Sequence, residues 1–175
     1  MKPFNELVLV NYSHPDCAPL LNIMRLPREE ASRWAEELAR EHPDDTAFGR
    51  FADFENYYDL RQRQDAYLHA RFIQMGGRPG EEHPLSFVLE GSDYLCGWFG
   101  GGVKTILPLC DVEACHISFT IGDSGALFQR HGELEVLTVE GFRRLYEEHD
   151  GYQVLLEQAG CHYVEAQLWS DRYVR

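Results

Sequence analysis

The sequence predicts an α+β fold, a mainly antiparallel mixed sheet of about five to seven strands packed by three or four helices. Three observations carry this expectation. The second half of the chain holds short β-branched and aromatic segments separated by glycine-containing turns; the first half holds two long segments with apolar residues at helical spacing; and a Gly/Pro-rich stretch joins them. The expected organisation is a single domain over 1–175, with a helix-rich part (1–75) and a strand-rich part (85–175) joined by a loop at 76–84. Either part alone would have a small core.

Leu7-Val8-Leu9-Val10 is apolar on both faces and reads as a strand inside the sheet. Proline holds His14 extended in Ser13-His14-Pro15-Asp16, and a short strand is expected around Leu21 to Arg25. Pro27 opens the first helix, Glu29 and Glu30 suit its positive end, and Ala31, Trp34, Ala35 and Leu38 share one side before Arg40, His42 and Pro43 close it. An aromatic run, Phe48, Phe51, Phe54, Tyr57 and Tyr58, leads into a longer helix with Asp53 as N-cap. Along it Leu60, Gln64, Leu68, Phe72 and Met75 trace one stripe, and Gly76, Gly77 and Pro79 end it.

Ser86 to Leu89 and Val103 to Leu107 read as strands around a short helix that Ser92 caps and Gly100-Gly101-Gly102 stops. Cys115 to Ile121 alternates, sending Cys115, Ile117, Phe119 and Ile121 to one face and His116, Ser118 and Thr120 to the other. Gly122-Asp123-Ser124-Gly125 supplies a turn into a strand over Ala126 to Gln129, and His131-Gly132 closes a hairpin onto Glu133 to Leu137, giving an antiparallel meander. Thr138 caps a third helix, with Leu137 and Phe142 placed as a hydrophobic staple. A short helix over Tyr152 to Ala159 stops at Gly160. Tyr163 to Trp169 is the last strand, with Val164, Ala166 and Leu168 inward and Tyr163, Glu165, Gln167 and Trp169 opposite.

The formal charge of −13 repels phosphate backbones and anionic lipid, so neither nucleic acid nor a membrane is an expected partner. No apolar run approaches the roughly 20 residues of a membrane span. Met1 to Val10 lacks the pattern of a secretory signal, and five cysteines without framework spacing suit reduced thiols; a cytoplasmic location is the expectation.

Gly122-Asp123-Ser124-Gly125 resembles the tetrapeptide around the nucleophilic serine of chymotrypsin-like proteases. The likeness ends there, because the chain continues with Ala126-Leu127 instead of Gly-Pro and has no Ala-Ala-His-Cys segment. Cys110, Cys115 and His116, with Cys161-His162, offer zinc-type ligands, but alternation separates Cys115 from His116. The His-Pro pairs at His14, His42 and His83 could converge on a metal with Asp16, Asp44 or Asp45, although their spacing does not require it. Gly97 to Gly102 lacks the context of a phosphate loop. No metal and no cofactor is assigned.

The polar side of the last strands remains. Its candidate catalytic residues are His116, Ser118 and Glu165, and its candidate binding residues are Thr120, Tyr163, Gln167 and Trp169; a solvated face is the competing expectation. The leading functional expectation is a non-enzymatic, acidic protein-binding module, recognising an unknown protein partner or a second copy of itself by electrostatic and aromatic complementarity. Bacterial toxin-neutralising proteins offer an analogy of charge alone. The alternative is a small-molecule-binding enzyme of hydrolase type, with His116 as general base, Glu165 as its partner and Ser118 or Ser124 as nucleophile.

Overall fold

A computed structural model describes residues 2–175. In chain order the elements are β1 (Val8–Ser13), α1 (Arg28–Glu41), α2 (Thr46–Gly49), α3 (Phe54–Gln74), β2 (Leu85–Leu89), α4 (Asp93–Trp98), β3 (Val103–Pro108), β4 (Ile117–Ile121), α5 (Ser124–His131), α6 (Val139–Glu148), α7 (Tyr152–Ala159) and β5 (Val164–Leu168). The fold is α+β, and its five strands lie in the order β3-β1-β2-β5-β4 with every neighbouring pair antiparallel. The helix-rich and strand-rich parts of the chain meet in this sheet, since β1 pairs with both β2 and β3.

The sheet has two unlike faces. On one, Leu9, Phe87, Leu89, Phe119, Val164 and Ala166 pack with Phe142 and Tyr146 of α6 and Leu155 and Leu156 of α7. Phe119 stacks on Phe142 with ring centroids 4.7 Å apart. On the other face α3 lies over β5 and β4, where Leu68 and Phe72 cluster with Trp169, while α4 brings Leu95 and Phe99 against Val10, Tyr12, Val88 and Tyr163. The aromatic run that leads from α2 into α3 packs against α1.

Several helix starts follow from local chemistry. Ser92 accepts from the Leu95 N–H and Thr138 from the Gly141 N–H, each satisfying a donor the helix cannot. Asp53 precedes α3 but its side chain makes no capping bond. The 76–84 loop is tied down at both ends: Arg78 N–H donates to the Cys115 carbonyl, and His83 pairs with Asp65 of α3. Gly77 has to be glycine because a Cβ there would lie 2.5 Å from the Phe72 ring.

Three local expectations are corrected. Residues 126–129 belong to α5, not to a strand: Asp123 accepts from the Ala126 N–H as N-cap, and Gly132, at φ +71°, ends the helix. Gly-Asp-Ser-Gly is therefore a strand-to-helix turn. Residues 133–137 form no strand and no hairpin with 126–129; Leu137 alone bridges to Phe119. The segment around Leu21 to Arg25 is a 3-10 turn capped by Asn22. The last strand, expected after the meander, lies between β2 and β4.

Candidate functional site

The polar side of β4 and β5 is not solvated, because α3 and α5 cover it. Ser118, Thr120, Gln167 and Trp169 are fully buried and satisfy one another in series. Trp169 Nε1 donates to Ser118 Oγ (2.9 Å), Ser118 to Gln167 Oε1 (2.9 Å), Gln167 Nε2 to Thr120 Oγ1 (3.0 Å), and Thr120 to the Gly122 carbonyl (3.4 Å). With its donors and acceptors used internally, this chain holds the sheet and helix in register.

His116 is elsewhere. It precedes β4, and its Nδ1 lies 2.8 Å from the Tyr173 hydroxyl. Thr120 is the register partner of Glu165, so His116 is about four strand steps, roughly 13 Å, from that pair. Burial, with Arg172 nearby, lowers the His116 pKa. Because His116 lies in a turn and not in the strand, alternation does not separate it from Cys115: the Cys115 thiol is 3.8 Å from the ring nitrogens. His116, Ser118 and Glu165 thus form no common catalytic group.

Glu165 and Tyr163 instead help line a cavity of about 400 Å³ between the sheet and α3, closed on its flanks by α4 and the segment after β1. Helix α3 presents Tyr57, Leu60, Arg61 and Gln64 to it, the spacing of one helical face. Gln64 Nε2 donates to Ser124 Oγ (2.7 Å), and the Glu165 carboxylate accepts from the Ser124 N–H (2.9 Å) and hydroxyl (2.8 Å). Burial, reinforced by Asp123, holds the Glu165 carboxyl above the usual carboxylate range, against the Ser124 bonds and the Arg61 charge. Tyr163 donates to Asp123 Oδ2 (2.8 Å), and burial keeps its phenol protonated.

Two arginines also line the cavity. Arg61 reaches Asp65 with one terminal nitrogen at 3.4 Å, and although burial opposes its charge, Asp65, Tyr57 and Glu165 keep it protonated. The Arg50 guanidinium lies 4.9 Å from the ring centres of Phe51 and Trp98 and 5.6 Å from that of Tyr57. The Nε atoms of both arginines and Gln64 Oε1 are enclosed, yet no partner among the described residues reaches them. Buried donors in folded proteins are overwhelmingly paired, with protein or with ordered water, so these two arginines stand out among the lining residues.

The rim carries a strained residue: Leu20, at φ +62°, holds a left-handed backbone that costs a leucine about 1–2 kcal/mol. Burial and the neighbouring Asp16 raise the Cys17 thiol, so this cysteine, also at the cavity, stays a thiol and is no ready nucleophile. Ser124 has a carboxylate but no histidine among its hydrogen-bond partners.

Fold and site together define an α+β protein with a cavity of mixed apolar and polar lining, bearing two arginines, against one sheet face. Compared with known proteins, the chain matches no family model, no curated protein and no solved structure.

Sequence reasoning missed Arg50, Arg61 and Gln64 as cavity residues. One signal was present: Gln64 interrupts an otherwise apolar stripe, and Arg61 lies beside it on the same turn.

Proposed function

We propose that this protein binds a small organic anion, a carboxylate or phosphate ester with an unsaturated or aromatic body, in the cavity between the sheet and α3. The observation that carries the reading is the pair of arginines, Arg50 and Arg61, that line it, the Nε of each without a partner among the described residues. Arginine forks suit carboxylate and phosphate oxygens. Tyr57 and Trp98 line the cavity beside Arg50 and offer apolar contact to an unsaturated body, and Glu165, Ser124 and Asp123 supply polar contacts for the remainder. A reaction would draw on Glu165, whose proton affinity is displaced toward neutrality. The reading includes a cytosolic setting, supported by five free thiols. Among the described residues no helix is long and apolar enough to cross a membrane.

The test uses inorganic phosphate and citrate as probes, in thermal-shift and calorimetric titrations against chloride at matched ionic strength. Wild type is expected to be stabilised saturably by at least one probe. Arg50→Met, an apolar replacement within an aromatic surround, is expected to change unliganded stability by under about 1 kcal/mol while weakening the probe more than about tenfold. Absence of a saturable shift with either probe, or an unchanged shift in Arg50→Met and Arg61→Met, would overturn the proposal.

Docking of a protein partner or of a second copy is the second reading. It is favoured by the free edge of β3, where Val103 and Ile106 are 44% and 60% exposed. Light scattering across a concentration series tests self-association: a constant monomer mass removes that branch.

A further inference from the structure

Two of the three His-Pro histidines meet. The His14 and His42 rings lie 5.3 Å apart, both packed on Phe48 of α2 at 4.6 and 5.1 Å. Asp16 reaches between them: its Oδ2 is 3.4 Å from His42 Nε2 and 3.9 Å from His14 Nδ1. The ligand atoms of these three residues lie within 4.8 Å of one another. His83 is not part of the group, since it pairs with Asp65.

We infer that His14, Asp16 and His42 form a binding site for a divalent transition-metal ion of the zinc class, at the rim of the cavity. Two imidazoles and one carboxylate suit such ions and leave coordination positions open. Asp45 supplies the outer hydrogen bond that metal-binding histidines ordinarily have. Its Oδ2 is 2.8 Å from His14 Nε2, so Nε2 carries the proton and Nδ1 turns its lone pair toward Asp16. Asp45 is itself fixed, because its other oxygen accepts from the Ala47 N–H at the start of α2. His14 Nδ1 accepts only a long bond, 3.2 Å, from the Asp16 N–H, which a metal would displace. Metal–ligand distances near 2.1 Å place ligands about 3 to 3.5 Å apart, so the two pairs with Asp16, now at 3.4 and 3.9 Å, have to close by under about an ångström, and the two histidines, within 4.8 Å, by at most about 1.3 to 1.8 Å. Asp16 lies on an exposed loop and His42 is half-buried, so these two can adjust toward the buried His14.

A second trio, Glu113, Cys115 and His116, has similar proximity. It is the poorer site, because Arg172 pairs with Glu113 and the Tyr173 hydroxyl holds His116 Nδ1. That contrast supplies the control. The inference does not rest on the anion reading, since metal binding is read without any cavity ligand.

The experiment titrates Zn²⁺ into chelator-treated protein by calorimetry, with Co²⁺ absorption reporting coordination geometry. One equivalent is expected to bind wild type and His116→Ala alike. His42→Ala and Asp16→Asn, changes at partly or fully exposed positions, are expected to weaken it more than about tenfold, and Asp45→Asn by about 10- to 100-fold, with circular dichroism unchanged. No saturable uptake by wild type, or uptake that survives His42→Ala and Asp16→Asn, or uptake lost in His116→Ala, would overturn the assignment.

Discussion

The face of the sheet under α6 and α7 is closed by rings and aliphatic side chains, whereas the face under α3, α4 and α5 carries hydroxyls, amides, carboxylates and two guanidinium groups around a cavity. Both faces belong to the same strands, alternating residue by residue along β4 and β5. The first face does what sheet packing requires, and its polar atoms are few. The second keeps groups that stability alone would not select: a carboxyl out of its usual range, a leucine in left-handed backbone and donors without acceptors. Departures of this kind concentrate where a protein binds or reacts.

The largest effect that separates the faces is expected on the apolar side. Phe119→Ala removes a ring with no exposed surface, stacked on Phe142, and leaves a void that strand and helix cannot both close. A loss of about 3–5 kcal/mol in denaturant unfolding is expected. A loss below about 1 kcal/mol would mean that α6 does not seal this face.

On the polar side the comparable deletion is chemical instead of volumetric. Ser118→Ala removes little volume but orphans the Trp169 N–H and the Gln167 carbonyl oxygen, both in a fully buried chain. The expected loss is about 1–3 kcal/mol. If Ser118→Ala is neutral while Ser118→Gly is not, packing and not the hydrogen-bond series holds this region.

How much of this difference is visible in the sequence depends on range. Alternation along Ile117 to Ile121 and Val164 to Leu168 assigns both faces correctly, because a strand's period is a local property. Ser92 and Thr138 reveal their helices for the same reason. Gly122-Asp123-Ser124-Gly125 misleads because turn chemistry and N-cap chemistry use the same residues, and only the Arg130-His131-Gly132 ending tells helix from hairpin. The covering of the polar face is non-local. Nothing near Ser118 announces that Gln64 and Trp169 will close over its strand, so a solvated surface and a buried series look alike in sequence. Tyr163 and Glu165 could be named as polar residues of the last strand; Arg61, brought to the cavity by α3, and Arg50, by the turn before it, could not.

The smallest effect expected is a slope, and it tests whether the polar face is truly desolvated. Glu165 is 9% exposed, and its carboxyl is raised chiefly by burial, then by Asp123. Between the unfolded value, about 4.3, and the raised folded value, the native state holds a proton that the unfolded chain has released. Stability therefore decreases as pH rises through that window: the contribution is fully present below the unfolded value and is lost as pH passes the folded one. Glu165→Gln keeps an acceptor for the Ser124 N–H but cannot titrate. Denaturant midpoints taken from pH 4 upward should fall more steeply for wild type than for the glutamine variant, and their difference should level off once the folded pKa is passed. A wild type that gains stability over the variant with rising pH would instead mean that Arg61 and the Ser124 bonds outweigh burial in setting the Glu165 proton affinity.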